Sequence, residues 1–209
     1  ILKAAALSPR RVLSQCGCVF CCKFCATGAI GHKRNMTADE ITDQILYFYL
    51  AGHQINSVSF MGMGEPFANP NLFDALKILT NPSLFGLSQR RITISTIGMI
   101  PGIKRLTRDF PQVNLAFSLH SPFEKQRSEL MPINQTYPLH KVMDALDAHV
   151  ANTKRRLFLA YIMLGGINDS AEHAKALAHL ILSRGALSYL YHVDLIPRSE
   201  ERRVGKECR

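Results

Sequence analysis

The stretch that decides the fold is CGCVFCCKFCATG, Cys16 to Gly28, which follows directly on a short β-rich run, Val12–Gln15. Five of the six cysteines fall between Cys16 and Cys25, and the sixth is Cys208. A disulfide framework spreads its cysteines along the chain to close loops, so thiols gathered this tightly point to a metal or a cluster. Only Cys18, Cys22 and Cys25 satisfy the spacing C-x3-C-x2-C. Three thiolates on one tight loop can hold three corners of a 4Fe–4S cluster and leave the fourth iron without a protein ligand. A small molecule can chelate that iron through an amine and a carboxylate. Two other outcomes stay open on spacing alone: structural zinc with His32 as fourth ligand, and unliganded thiols. Cys16 and Cys21 are spare, with small packing roles.

Outward from this loop, β-rich runs alternate with amphipathic stretches. Strands are expected at Val12–Gln15, Ser57–Met61, Arg91–Ser95, Asn114–Leu119, Leu157–Met163 and Tyr189–Ile196, each rich in Val, Ile, Leu or Phe and bounded by Gly, Pro or Asn. Helices are expected at about Ala38–Ala51, where Thr37 and Glu40 form a capping box and Gly52 follows the end, and at Pro70–Leu79, Pro101–Asp109, Leu139–Asn152 and Ser170–Arg184. Six such units imply an α/β fold with parallel strands, as a partial barrel or an open doubly wound sheet, and functional residues at the carboxyl ends of the strands. A hydrophobic content of 47% with 20% charged residues supports a compact domain and excludes wholesale disorder. No apolar run reaches membrane-spanning length, and a cytoplasmic protein is expected. The formal charge of +9 suits a polyanionic partner.

The core is expected to cover residues 12–197. Residues 1–11 read as a truncated N-terminal remnant without a start methionine. The final segment, RSEERRVGKECR (Arg198–Arg209), reads as the translation of a sequencing adapter; on that reading Cys208 is a chance thiol. Removing its five Lys/Arg and three Glu lowers the charge from +9 to +7, and the core stays basic.

Further strand exits carry polar groups. SFMGMGEP (Ser59–Pro66) places Gly64 where a backbone can approach a ligand, and Glu65 where a carboxylate can accept from an ammonium. ITISTIGMIP ends on Ser95, and LAFSLHSP on Ser118, Leu119 and His120. Singly these read as turn or capping residues; together they put polar groups on one rim. Basic pairs and runs at Lys33, Arg34, Arg90, Arg91, Lys154, Arg155 and Arg156 could meet phosphates or form solvated faces.

The cysteine loop closing the first β/α unit resembles that of the radical-SAM superfamily, whose open cluster iron chelates S-adenosylmethionine (SAM). SQCGC, CKFCATG, NMTADEITDQI, FMGMGEP, ISTIG, FSLHSP, LMPIN and INDSAEHA, in a match that covers about Ser14 to Pro197, are similar to one narrower family, the 23S rRNA adenine methyltransferases with their Cfr and RlmN branches. That resemblance implies a partial (β/α)6 barrel of radical-SAM type. It implies Cys18, Cys22 and Cys25 as cluster ligands, and Phe24, Gly64, Glu65, Ser95, Ser118, Leu119 and His120 as SAM contacts, with Phe24 near the adenine. ISTIGMIP, GHQINSVSFMGMGE, PQVNLAFSLHSP, LAYIML and LYHVDLI look more like Cfr, the antibiotic-resistance branch that methylates carbon 8 of adenine 2503. Pro66 after Glu65 matches instead the housekeeping RlmN branch, which methylates carbon 2 and also acts on tRNA.

By resemblance, the reaction cleaves SAM reductively to a 5′-deoxyadenosyl radical, which abstracts hydrogen from an S-methylated cysteine near the C-terminus; the resulting carbon radical adds to the adenine. The methyl-carrying cysteine belongs beyond Pro197 and an acidic proton acceptor upstream of Ile1, so this chain is expected to bind cluster and SAM yet not methylate RNA by itself. No catalytic residue is assigned within it. The implied partners are 23S rRNA, tRNA in the RlmN branch, and an external electron donor such as flavodoxin or ferredoxin, with the chain a monomer. The rival readings are a different radical-SAM enzyme and a zinc-stabilised RNA-binding module.

Overall fold

The computed structural model describes residues 10–197. The adapter-like segment and Cys208 lie outside them, as do residues 1–9. Arg10 and Arg11, expected to precede the core, belong to it: β1 (Arg10–Arg11) lies parallel to β4 (Val58–Phe60). The remaining strands of the main sheet are β5 (Ile92–Thr96), β6 (Asn114–Ser118), β7 (Leu157–Met163) and β8 (Tyr191–Pro197). All pair in parallel, in the order β1-β4-β5-β6-β7-β8. Each new strand adds to the same growing edge. A doubly wound sheet would reverse its strand order at a switch point; a partial barrel does not. The sheet is a six-stranded half-barrel.

The expected first strand, Val12–Gln15, is divided between two sheets. Val12 N–H still bonds Ser59 O across the main sheet, after which the chain turns into β2 (Gln15–Gly17), antiparallel to β3 (His32–Asn35). This hairpin encloses the cysteine loop and the short helix α1 (Ala26–Ile30). Its polar, charged β3 (His-Lys-Arg-Asn) has no apolar alternation to betray a strand in the sequence.

Between the sheet strands run α2 (Ala38–Leu50), α3 (Leu72–Thr80), α4 (Ile100–Asp109), α5 (Glu124–Leu130), α6 (Leu139–Thr153) and α7 (Ala171–Leu182). The capping box of α2 is present, with Glu40 N–H donating to Thr37 Oγ1 and Thr37 N–H to Glu40 Oε2. The unforeseen α5 (Glu-Lys-Gln-Arg-Ser-Glu-Leu) carries no apolar stripe, so helical periodicity could not reveal it.

Strand alternation divides the sheet into two faces. Ile92, Ile94, Leu115, Phe117, Leu157 and Leu159 point to the helices and bury in one core with Leu76, Ile103, Leu106, Val142 and Leu146. The alternate positions, Thr93, Ser95, Ala116, Ser118, Phe158 and Ala160, line the concave face and are polar or small in all but one case. A face so poor in apolar side chains is not built to pack on a second layer. Among the described residues no helix is long and apolar enough to cross a membrane.

Candidate functional site

Cys18, Cys22 and Cys25 sit on the loop between β2 and α1, with Cys22 buried and the other two half-buried, all as free thiols. A second, smaller apolar cluster anchors the loop: Cys22 packs with Leu130, Met131, Ile133 and Leu164, flanked by Phe20, Phe24, Cys25 and Ile97. Lys23 N–H also donates to Leu130 O at 3.0 Å, tying the loop to the end of α5. Burial raises the Cys22 thiol to about 12, with further upward pushes from Cys25 and Cys18. Burial likewise raises Cys18, and Cys25 and Glu65 add to it. The three thiols therefore lie within electrostatic reach of one another. As thiolates they repel, and a multinuclear iron centre removes that repulsion by taking all three as ligands.

A single tetrahedral zinc needs thiolates about 3.8 Å apart, from Zn–S bonds of about 2.3 Å. Among the described residues no three His, Cys, Asp or Glu side chains gather closely enough to hold one metal ion. His32, the candidate fourth ligand, is exposed on β3. Three cysteines spaced C-x3-C-x2-C are the donor set of a 4Fe–4S cluster with one open iron. Cys21 is exposed, with its Sγ donating to Val19 O, and Cys16 lies on β2; both fall outside the C-x3-C-x2-C spacing.

Facing the loop are the carboxyl ends of β4 to β7. Gly64 has φ +97, and a Cβ there would stand 2.6 Å from Gln15 Cβ, so only glycine lets β2 and the β4 exit meet. Gln15 is buried; its Oε1 accepts Glu65 N–H at 2.9 Å and its Nε2 donates to Asn35 Oδ1 at 2.7 Å. Asn69, also buried, donates to Ser14 O and Met36 O. Two buried amides thus fasten the cysteine-bearing hairpin to the β4 exit. Gln15 lies within SQCGC and Asn69 just after FMGMGEP, and their place next to these segments was the signal in the sequence.

Glu65 joins two strand exits. Its Oε1 accepts from Thr96 Oγ1 at 2.7 Å and Phe67 N–H at 3.3 Å, and its Oε2 accepts Ile97 N–H at 2.9 Å. At 3% exposure the carboxylate fastens the β4 and β5 exits together, and Oε2, with one donor, keeps an acceptor position. Burial raises it to about 7 against these three hydrogen bonds, Thr96 foremost. Leu119 is 0% exposed, its N–H donates to Ala160 O and its carbonyl accepts from Arg127 Nε. Its side chain belongs to the core, so it supports the rim from behind.

Ser95 and Ser118 are half-buried on the concave face of neighbouring strands, with Ser95 paired to Ala116 and Ser118 to Ala160. His120 follows with φ 57, a backbone shape that non-glycine residues rarely adopt. Its Nδ1 accepts Ile162 N–H at 3.0 Å, so its other nitrogen carries the proton as a donor. Burial, with a smaller push from Arg127, holds the imidazole down at about 3, hence neutral. Phe24 meets the His120 ring edge-on, with centroids 4.6 Å apart. Asn168, in INDSAEHA, fixes this corner by donating to His120 O and Ile162 O at 2.7 Å each. The structure thus brings Phe24, Gly64, Ser95, Ser118 and His120 to one rim beside the three cysteines, with Glu65 and Leu119 one layer behind.

The basic residues divide. Arg90, Arg91, Lys154, Arg155 and Arg156 precede β5 and β7, at the end of the sheet opposite the rim, where Arg90 and Arg155 share Gln112 Oε1. Lys33 is exposed on the hairpin, while Arg34 is held by both oxygens of Glu40 at 2.7 and 2.8 Å.

A six-stranded parallel half-barrel with C-x3-C-x2-C on its first loop and a polar rim defines the core of a radical-SAM protein. Residues 12–181 match the Radical SAM superfamily, and the chain belongs to it. More narrowly, it is similar to proteins named ribosomal RNA large subunit methyltransferase Cfr: 74% identical over 186 residues to that of Lachnoclostridium phytofermentans, covering 89% of this chain and 54% of that protein. It is 60% identical over 185 residues to that of Staphylococcus warneri, covering 88% and 53%. The crystal structure of a radical SAM methyltransferase from Sphaerobacter thermophilus superposes with a TM-score of 0.81 at 40% identity, over 88% of this chain and 54% of that one. The chain spans about half the length of the curated relatives it matches.

Proposed function

We propose that this chain is the cluster- and SAM-binding core of an rRNA methyltransferase of Cfr type, directed to carbon 8 of adenine in 23S rRNA. The observation that carries the proposal is the meeting of three free thiols with the strand-exit rim, on a family match that spans the half-barrel. Identities of 60–74% to Cfr-named proteins support the Cfr branch over the RlmN branch. Cys18, Cys22 and Cys25 would hold the cluster, and when bound it would supply the electron for reductive cleavage of SAM, chemistry no side chain offers. The chain's own residues do the rest. Phe24 and His120 offer an aromatic edge for a base, and the His120 tautomer presents a fixed donor. Ser95 and Ser118 offer hydroxyls on the concave face, and the backbone around Gly64 lets a ligand approach closely.

The RNA, an external one-electron donor of flavodoxin or ferredoxin type, a monomeric state and a cytoplasmic location complete the proposal. The chain by itself is expected to bind cluster and SAM without methylating 23S rRNA. The test is anaerobic reconstitution of the chain with iron and sulfide. Iron and sulfide near four each per chain are expected, falling sharply in Cys18→Ser, Cys22→Ser and Cys25→Ser but not in Cys16→Ser or Cys21→Ser. One zinc without sulfide would overturn the reading in favour of a zinc-stabilised module. Mass spectrometry of adenine from rRNA treated with the full-length enzyme decides carbon 8 against carbon 2.

A further inference from the structure

Arg127, in the middle of α5, is 0% exposed. Four of its N–H bonds are accounted for: Nε to Leu119 O at 3.2 Å, Nη1 to Asn134 Oδ1 at 2.6 Å, and Nη2 to Ile97 O at 2.9 Å and Ser118 O at 3.1 Å. The guanidinium carbon also stands over the Phe117 ring, 4.9 Å from its centroid. Every acceptor is neutral. Among the described residues no carboxylate bonds Arg127 directly; Glu124 acts on it through space and through the Asn134 amide, which donates to Glu124 Oε1 at 2.8 Å. A fully buried cation without a directly bonded anion is costly to keep, and folded proteins keep one where a further anion completes it.

The placement shows where that anion belongs. Arg127 joins the carbonyls at the exits of β5 and β6, the stretch carrying Ser118 and the approach to His120. Leu130, one turn along α5 on the same face, packs on Cys22, and its carbonyl holds Lys23 N–H. The charge therefore sits behind the cysteine loop and the ligand rim at once. This rests on the cluster reading given above. With three thiolate ligands a 4Fe–4S cluster is anionic when oxidised and more so after gaining one electron from an external donor, so a fixed positive charge favours the reduced form.

We infer that Arg127 is a positioning residue with an electrostatic role: it holds the β5 and β6 exits in register and supplies the buried positive charge that raises the reduction potential of a cluster on Cys18, Cys22 and Cys25. Its side chain is fully buried behind the rim. Lysine at this position keeps the charge but cannot span carbonyls on two strands as the planar fork does. Charge and geometry are thus separable.

The experiment is a dithionite titration of the reconstituted full chain, followed by electron paramagnetic resonance, with iron and sulfide content measured first. Arg127→Met is expected to lower the reduced-to-oxidised ratio at fixed potential at least tenfold, about 59 mV for a one-electron couple. Arg127→Lys is expected to keep the potential near that of the unsubstituted chain while weakening SAM binding. Should Arg127→Met fail to fold, Arg127→Gln decides: its neutral amide can still donate to the strand-exit carbonyls while the charge is removed, and it is expected to move the potential the same way. A full cluster complement with an unmoved potential in Arg127→Gln overturns the inference and leaves the cluster reading standing. Failure of the unsubstituted chain to bind iron and sulfide overturns both.

Discussion

The Gln15 carboxamide accepts the backbone N–H of Glu65 at 2.9 Å across fifty residues of sequence, and both residues are buried. This one bond joins the hairpin that bears the cysteines to the exit of β4, and Gln15 Nε2 extends the link to Asn35. Gln15→Leu leaves the Glu65 N–H and Asn35 Oδ1 unpaired, at a cost of about 1–3 kcal/mol for the buried N–H. Urea unfolding should show that loss, and iron uptake on reconstitution should fall with it. Unchanged stability with full iron uptake would mean that the hairpin is held in place by other contacts.

Gly17 closes the hairpin with φ +90, and a Cβ there would stand 1.8 Å from Gly31 O. The clash is with backbone, so no side-chain rotation can relieve it. Gly17→Ala should therefore cost well over the ~1 kcal/mol typical of such changes at relaxed positions, and should abolish cluster assembly. Circular dichroism and iron content of the variant check both effects.

Thr96 Oγ1 is the strongest of three donors that keep the buried Glu65 carboxyl from rising beyond about 7. Because the folded-state value lies above the ordinary carboxylate range, this group's contribution to stability is complete below pH ~4.5 and declines as pH rises toward 7. Thr96→Val should push the Glu65 titration higher still. Carboxyl-carbon NMR of labelled chain would read the shift, and a titration unmoved by the substitution would remove Thr96 as its cause.

His149 is buried, with Nδ1 bonded to Thr107 Oγ1 at 2.8 Å and Nε2 without a partner. Burial, with a smaller push from Arg155, holds it down at about 4 against an ordinary 6.5. Between those values the unfolded chain takes up a proton that the folded chain refuses. Stability should then fall by about 1.4 kcal/mol per pH unit as pH drops from 6.5 to 4, and level off below. His120, held at about 3, adds a parallel slope over a slightly wider range. His149→Phe should remove its share, seen as a smaller difference between unfolding free energies at pH 7 and pH 5.

Much of the fold was legible because it is local or periodic. The runs around Ile92–Thr96 and Leu157–Met163 alternate in burial as strands on a one-sided core must, and Thr37 with Glu40 writes a helix start into adjacent letters. The polar β3 and α5 were not legible, since neither carries an apolar face and both are held by what they pack against.

The sequence by itself determined the kind of chemistry: C-x3-C-x2-C on a loop after a strand is a covalent pattern of soft ligands, and its spacing is independent of the rest of the chain. Tertiary structure alone decided strand order, and with it barrel against open sheet, because pairing between distant strands leaves no trace in local periodicity. It also set Glu65 and Leu119 one layer behind the rim, and brought the unforeseen Gln15, Arg127 and Asn168 in to support it. Partners 30 to 50 residues apart are set by the closing of the sheet, and no single stretch of sequence encodes them.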